Sequence, residues 1–592
     1  MQKTDPLNYY EKRVAVHEEV LSGVRKQLFI SSMLRLTAFL LLIFVIYFFY
    51  AKTNTLIITV LVVLGLFLFL ISRHTNLQHK RDKLLALILI NKTEIAVQKR
   101  EFLQQPDGRE FLNPAHFFSQ DIDLFGRGSF YQYSNRTSLQ QGKELYAEMM
   151  IANSIENIQE KQLAVKELSA LPEWREDFSA TASLINTETS HKNIVKWMQQ
   201  YAAFLPSLSK FLPLVFSLVS VAVIGSYFLD WISGWVLGAW FFLGLAITGK
   251  YLKQISKLAS DCNKIQSTFQ QYQSLIWKLE QTTFTSQLLN NKKAAIIKQG
   301  EKTSKIMKKF SGLLNALDQR NNIIIGVLGN AFMLRDVQLS YSIEQWIAAN
   351  GAKVERWFAA IAFFDAFNTL GNFAFNHPNY TYPKIEDGPV VLKSENAAHP
   401  MLDPEKSVEN DFEIREEEFF IITGANMAGK STFLRTVALQ IMMANIGLPV
   451  CASATIYCPI KLITSMRTTD SLTDDESYFF SELKRLKFIV DQIGNERYFV
   501  VLDEILKGTN SIDKAKGSRK FLERLAGTKS TGLIATHDLS LCEAAEESSE
   551  IKNYYFDAEI IDNELHFDYK FKEGVCQNMN ASFLLKKMGI VN

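Results

Sequence analysis

The chain has 592 residues, a net charge of +2 and 47% hydrophobic residues, with 12% aromatic. That length predicts several domains, and the near-neutral balance excludes a globally basic nucleic-acid binder, so any polyanion must be met by a local patch. The apolar content exceeds what a water-soluble enzyme requires, and 43 phenylalanines suit membrane-facing helices.

Residues 1–29 read as a charged N-terminal helix, followed by an apolar hairpin over 30–72. No residue from Leu36 to Ala51 is charged, Arg35 and Lys52 flank that run, and a second uncharged run covers Thr53 to Ser72. Each is near the length that crosses a ~30 Å hydrocarbon core at 1.5 Å per residue. The first run starts far from the N-terminus and lacks a small-residue cleavage site, which favours an anchor over a removed signal peptide.

Residues 73–210 read as a helical core or lever region, broken at Pro106-Asp107-Gly108. Glu144 to Leu171 has no Pro or Gly and carries apolar residues at helical spacing. A second apolar hairpin is expected over 211–249, where Asp230 is the only charge between Lys210 and Lys250. It divides into Phe211–Leu229 and Trp231–Thr248, with a bend at Ser233-Gly234 and with Trp231, Trp235 and Trp240 as interface anchors. Residues 250–375 return to helix, Lys- and Gln-rich up to 320.

Lys3, Lys12, Arg13, Arg25 and Lys26 precede the first run, and Arg73, Lys80, Arg81 and Lys83 follow the second. The hairpin loops carry only Lys52 and Asp230. The positive-inside rule therefore predicts a four-span protein of the inner, cytoplasmic membrane with both termini in the cytoplasm. The five cysteines are scattered, without metal-ligand spacing, and read as free thiols.

Residues 376–411 read as a Pro-containing loop with short strands, and the whole of 376–592 as an α/β domain. Its decisive segment is Thr423–Thr432, TGANMAGKST, which follows the apolar run Phe419 to Ile422. Gly424, Gly429, Lys430 and Ser431 fit the pattern G-x-x-x-x-G-K-[ST]. A buried strand leads into a tight turn whose backbone N–H groups meet phosphates, and the next helix points its positive end at them. Gly424, Asn426, Gly429, Lys430, Ser431 and Thr432 are thus the candidate nucleotide-binding residues, with Ser431 also on Mg²⁺. The apolar run from Tyr498 ends in Asp503 and Glu504, placed for the Mg²⁺ shell and for orienting or deprotonating a water. A third run from Thr531 ends at His537, a candidate sensor of the terminal phosphate. Together these predict a P-loop ATPase using ATP and Mg²⁺, preceded by an all-α core or lever region that transmembrane hairpins interrupt.

The lettering is more specific than that. TGANMAGKSTFLR resembles the loop of the MutS family of DNA mismatch repair ATPases, of ABC type, usually written TGPNMGGKST; Ala425 and Ala428 replace a proline and a glycine. An alanine costs little there if its φ is negative. The segment around Ser477, Phe479 and Glu482 is similar to the family's S-T-F-x-x-E stretch, with Tyr478 in place of threonine. Asp503-Glu504 with Gly508-Thr509 resembles DE-x-x-x-GT, and Ala535-Thr-His537 resembles its A-T-H strand end. Weaker matches lie at Asp121–Gly126, Gly128-Ser129, Asn135, Gly142, Phe364-Asp365, Tyr382-Pro383 and His399-Pro400; Asp365 and His399 read as structural residues.

The resemblance implies a homodimer with composite ATP sites, each receiving Ser477 in trans, and implies DNA and repair proteins as partners. The family's mismatch-reading domain is expected to have no counterpart, its clamp to be shortened or absent, and its C-terminal dimerisation segment to be missing. Two alternatives stand beside a membrane-anchored MutS-like ATPase: an ABC-type transport ATPase, and a membrane scaffold or remodelling ATPase without DNA. The first lacks the L-S-G-G-Q signature where Ser477 lies.

Overall fold

A computed structural model of the chain describes residues 5–49, 53–184, 190–297, 302–467, 478–494, 496–507, 510–561 and 564–577. Helices α1 (Pro6–Phe49) and α2 (Thr53–Gln98) pair along their length, so the charged N-terminal segment and the first apolar run form one continuous helix. Both are long and apolar enough to cross a membrane, and little of either apolar stretch is buried in the protein. Leu21, Val24, Leu84 and Ile88 form a small core between their polar halves, where Lys92 also pairs with Glu18.

The remaining helices before the sheets are α3 (Phe130–Ser134), α4 (Gln140–Ile151), α5 (Ile158–Ser169), α6 (Pro172–Ser183) and α7 (His191–Gln199), followed by the apolar α8 (Leu212–Phe228) and α9 (Gly234–Lys250). Then come α10 (Leu252–Gln281), α11 (Gln287–Ala294), α12 (Thr303–Asp318), α13 (Ile323–Met333) and the 42-residue α14 (Arg335–Asn376). Helix α14 is the axis of the core: its length and composition would also suit a membrane span, yet 83% of its most apolar window is buried by α4, α5, α7, α10 and α12.

The helical spacing from Glu144 to Leu171 does not give one helix. Asn153 and Asn157 both take left-handed conformations between α4 and α5, which asparagine tolerates better than most residues. Asn153 is used as a substitute peptide group: its side chain donates to the Leu462 carbonyl and accepts from the Leu462 N–H, each at 2.9 Å. The break thereby docks the helical region on the sheet domain. Asp121 assists by accepting from Thr464 and from the Arg467 N–H.

The base of the α1–α2 hairpin is tied to the core by polar groups. Tyr10 donates to Asn376 at 2.7 Å, Arg13 pairs with Glu173 and Glu176, and buried Glu94 holds Arg136 at 2.7 Å while accepting from Asn372 and Asn376. A cavity of about 330 Å³ lies beside this network, lined in part by Arg175 and Asn368.

Asp365 has the structural role expected of it. It is fully buried on α14 and accepts from the N–H groups of Ser138 and Leu139 at 2.9–3.1 Å, tying down the chain that enters α4. Gly142 is required opposite it, because a Cβ there would overlap the carboxyl group. Burial pushes the Asp365 pKa up to about 7, against the backbone donors that lower it. The folded chain therefore keeps a proton that the unfolded chain releases above about pH 4. This contribution to stability is fully present below pH 4 and is lost as pH rises through 7, by about 4 kcal/mol at most. Asp365→Asn should remove that trend: the variant's melting temperature minus the parent's is expected to increase from pH 4 to pH 7. A flat difference would refute the buried-proton assignment.

Among the described residues, the C-terminal domain has two larger sheets and a two-stranded ribbon. The smaller has order β1-β5-β2-β3, from Lys384–Ile385 (β1), Val390–Ala397 (β2), Asn410–Arg415 (β3) and Ala454–Tyr457 (β5). The larger has order β12-β9-β4-β8-β7-β6, from Phe419–Gly424 (β4), Lys461–Ser465 (β6), Tyr498–Asp503 (β7), Thr531–Ala535 (β8), Ile551–Phe556 (β9) and Phe571–Glu573 (β12). Its strands are parallel except the edge strand β12; β10 (Glu559–Ile561) and β11 (Glu564–His566) form a separate ribbon. Helices α15 (Lys430–Asn445), α16 (Tyr478–Ile493), α17 (Ser511–Ala526) and α18 (Ala544–Glu547) complete the domain. Strands β4, β7 and β8 are almost entirely buried, as their uninterrupted apolar runs require.

Candidate functional site

Strands β4, β7 and β8 are adjacent and parallel, so their C-terminal ends present Gly424, Asp503, Glu504 and His537 along one sheet edge. In α/β sheets that edge is where ligands bind. The loop between β4 and α15 needs its glycines. Gly424 has φ +147 and a Cβ there would lie 2.6 Å from the Phe556 carbonyl oxygen; Gly429 has φ +107 and faces the Tyr569 ring. Ala428 is buried and avoids positive φ, which is why alanine is accepted where the related loop has glycine. The strained position is Met427, with φ 70 and an exposed side chain.

Lys430 opens α15 and is only 6% exposed. Its Nζ donates to the carbonyls of Gly424 at 2.7 Å and Ala425 at 3.0 Å, and lies 3.4 Å from His537 Nε2. Burial lowers its pKa, while Asp503 and Glu504 oppose that shift. Ser431 Oγ donates to Asp503 Oδ2 at 2.6 Å, so the hydroxyl and carboxylate proposed for Mg²⁺ are already in contact. Among the described residues no group of three His, Cys, Asp or Glu side chains could enclose a metal by itself. A hydroxyl and one carboxylate suit Mg²⁺, which keeps waters and takes phosphate oxygens to complete its shell.

Glu504 Oε1 lies 2.8 Å from His537 Nε2, and Glu504 Oε2 lies 3.4 Å from Lys507 Nζ. The His537 hydrogen bond, with help from Lys507, lowers the Glu504 pKa to about 2. Glu504 itself has φ 52, a conformation uncommon for a non-glycine residue, and Leu506 has φ 59. Such backbone outliers persist only where surrounding contacts enforce them. Here the enforcing group is Glu482 on α16, whose buried carboxylate accepts from the N–H groups of Leu506 and Lys507. Ser477, Gly508 and Thr509 lie outside the described residues.

The loop before α15, together with Asp503, Glu504, Lys507 and His537, lines a cavity of about 630 Å³ that continues toward His399, Leu402, Lys406 and Tyr569. Asn426, Gly429, Lys430, Ser431 and Thr432 are all on its wall, as are Asp503, Glu504 and His537. The motif residues lie at the loop end of the cavity, and Leu402, Lys406 and Tyr569 at its other end belong to no motif. His399 is on the cavity wall as well as in the fold, with its pKa lowered to about 4 by burial and by Arg435. Lys507 and Tyr569 were not singled out, since a lysine and a tyrosine in loops carry no signal at the sequence level.

Comparison with known proteins shows what this domain is similar to. The family profile for MutS domain V matches residues 420–586. The DNA mismatch repair protein MSH4 of Arabidopsis thaliana is 31% identical over 217 residues, 35% of this chain and 27% of that protein. The DNA mismatch repair protein MutS of Aquifex pyrophilus is 34% identical over 200 residues, 32% of this chain and 23% of that protein. The DNA mismatch repair protein MSH3 of Candida albicans is 28% identical over 327 residues, 52% of this chain and 30% of that protein. The chain thus spans less than a third of the length of each of these relatives.

Proposed function

We propose that this chain, whose residues 420–586 form a MutS domain V and hence an ATPase domain, hydrolyses Mg-ATP at composite sites of a membrane-anchored homodimer and couples the cycle to DNA or a DNA-repair partner. The observation that carries the reading is the Ser431–Asp503 contact at 2.6 Å beside the Lys430, Glu504 and His537 cluster. Lys430 would leave the loop carbonyls for the outer phosphates, as the backbone N–H groups of the loop take the remaining oxygens. Mg²⁺, held by Ser431 and Asp503, would neutralise phosphate charge when bound. Glu504, kept ionised, orients the attacking water and takes its proton, and His537 meets the terminal phosphate.

Ser477 of a second copy would complete each site. Glu482 gives that contact a route inward, since it follows Ser477 by five positions and holds the loop that carries Lys507 next to Glu504. Helix α14 supplies the mechanical output. Its 42 residues extend about 63 Å, at 1.5 Å per residue, and end at Asn376, eight positions before β1 of the sheet domain.

Anchoring in the cytoplasmic membrane, by α1, α2, α8 and α9 with both termini inside, is supported by their exposed apolar faces and by the charges flanking them. DNA as the ligand is supported by the naming of the relatives as DNA mismatch repair proteins. A second reading, an ATPase switch acting on the membrane without DNA, is favoured by α14, which touches the apolar α8 and α13 and ends eight positions before β1 of the sheet domain.

The deciding measurement is the ATPase rate of the detergent-purified protein with homoduplex, mismatched or branched DNA. Stimulation by one of these is expected; a rate indifferent to all three would refute DNA coupling and leave the second reading.

A further inference from the structure

Residues 287–312 hold seven lysines and one acidic residue, a net charge of +6 in a chain whose total is +2. On α12, Lys302, Lys305, Lys308 and Lys309 are all exposed, and Gly312 and Ala316 complete that outward face. None of these four lysines has an ion-pair partner among the described residues. Exposed Lys292 adds to them from α11, where burial and then the charge of Lys302 lower the pKa of the adjacent Lys293, against Glu280. Glu280 of α10 is already engaged, accepting from the Ser304 N–H at 3.0 Å and from its hydroxyl at 2.5 Å. Beside the row stands Trp277, 54% exposed and three positions before Glu280, hence on the same side of α10.

This arrangement costs stability in the free protein. Like charges three and four positions apart repel along a helix, and Lys302 and Lys305 stand at the α12 N-terminus, where the helix dipole is already positive. An anion on that face relieves both penalties. The row from Lys302 to Lys309 covers about 10 Å of helix, and a DNA strand carries one charge per about 3.4 Å of axis, so a polyanion fits it better than a single small anion. On the membrane reading of the apolar helices, lipid headgroups are out of reach. Asp177 holds both Lys278 of α10 and Lys83 of α2, and Lys83 follows Ser72, the end of the second apolar run, by eleven positions, or about 16 Å. The path along α10 agrees: Leu252 to Glu280 rises about 42 Å, and the 65° bend from α9 leaves about 18 Å of it along an upright α9. Both distances are about two Debye lengths at physiological salt.

We propose that the lysine face of α12, flanked by Lys292 and Trp277, binds an unpaired segment of DNA, its phosphates on the ammonium groups and a base stacked on the Trp277 ring. A basic surface beside an open aromatic ring is the combination that holds single strands, because every base has a face to stack. The proposal rests on the reading that DNA is a ligand, and adds where the strand is met and in which form. It also gives the strand a hold on the lever. The Phe310 ring of α12 stacks on Trp346 of α14 at 3.9 Å, and the Trp346 indole N–H donates to the Ile306 carbonyl at 3.0 Å. A strand on the outer face of α12 is therefore one packed layer away from α14.

The test measures fluorescence anisotropy of a labelled thymidine 30-mer, and of the same strand in a duplex, with the detergent-purified full chain over a salt series. The parent is compared with Trp277→Ala and with a triple variant, Lys302→Gln, Lys305→Gln and Lys309→Gln; unchanged ATPase activity without DNA checks the fold of each. Single strands lose affinity with a logarithmic salt slope of about −0.7 per phosphate neutralised, so the triple variant's slope should be shallower by about 2. Trp277→Ala should weaken single-strand binding about 5- to 150-fold and leave the slope as it was. Parental affinity and slope in both variants would place DNA elsewhere, overturning the proposal while the DNA reading stands. A parent that bound only the duplex, or a Trp277→Ala variant with parental affinity, would overturn the single-strand assignment. A parent that bound neither probe would sink the DNA reading and the proposal together. In phosphatidylcholine–phosphatidylglycerol vesicles, a fluorophore at Lys305→Cys, with the identically treated parent as blank, should be untouched by headgroup nitroxides. Quenching there would give the face to the membrane and overturn the proposal.

Discussion

Glu504→Gln is expected to bind ATP with near-parental affinity and to hydrolyse it about 10²- to 10⁴-fold more slowly, the range that a positioned acid or base contributes. The substitution preserves shape, and an amide oxygen can still accept from His537, which lies 2.8 Å from the carboxylate now. What it removes is the negative charge and the capacity to take a proton. The low pKa of about 2 means that Glu504 in this conformation is a strongly held carboxylate and a weak base. It must therefore gain basicity when the site closes, by loosening from His537 or Lys507, or act chiefly by orienting the water. The same value predicts no loss of Glu504 charge above about pH 3, so any acid limb in the parental rate near neutrality belongs to another group. Phosphate release and binding of a fluorescent ATP analogue, measured on the same preparation, separate the two effects. Turnover within a few-fold of the parent would refute the assignment of Glu504, whatever happened to affinity.

The phosphate end of this site was legible because its chemistry is local in sequence. Lys430 and Ser431 are adjacent, and Asp503 and Glu504 end an apolar run whose burial in a parallel sheet follows from composition alone. The contacts that shape the catalytic loop were less accessible. Glu482 reaches Leu506 and Lys507 across more than twenty positions, and nothing in either segment announces the other. The far wall of the cavity was less accessible: His399 read as a structural residue, and Tyr569 comes from a distant loop without a motif.

Similar limits apply to the helical region. Periodicity registered α4 and α5 but not the break between them, because asparagine at positive φ is a tertiary choice stabilised here by the Asn153–Leu462 pair. The two apolar hairpins stood out by length and missing charge. Helix α13 did not, being too short to register as a span and embedded in a stretch that otherwise reads as core helix.

Lys430→Met should separate charge from shape in the phosphate loop. In the free protein, Lys430 is a nearly buried cation that donates to the carbonyls of Gly424 and Ala425 and lies 3.4 Å from His537 Nε2. Burial already disfavours its charge, as the lowered pKa records. Methionine fills similar space with no charge to desolvate, at the expense of two carbonyls left without that donor. These effects oppose each other, so melting of the free variant should stay within a few degrees of the parent. ATP reverses the balance, because a buried cation facing phosphate is worth about 2–5 kcal/mol once its partner is present. The affinity should accordingly fall by roughly 30-fold or more, and about 100-fold at 2.7 kcal/mol. At an ATP concentration 100 times the parental Kd, the parent gains about 2.7 kcal/mol of stability, whereas a 100-fold weaker variant gains about 0.4 kcal/mol. The ATP-induced rise in melting temperature should therefore nearly vanish in Lys430→Met while the ATP-free midpoint hardly moves. A variant that kept the full ATP-induced rise would show that the loop backbone binds the phosphates without Lys430, and a variant that melted early without ATP would make the lysine part of the fold.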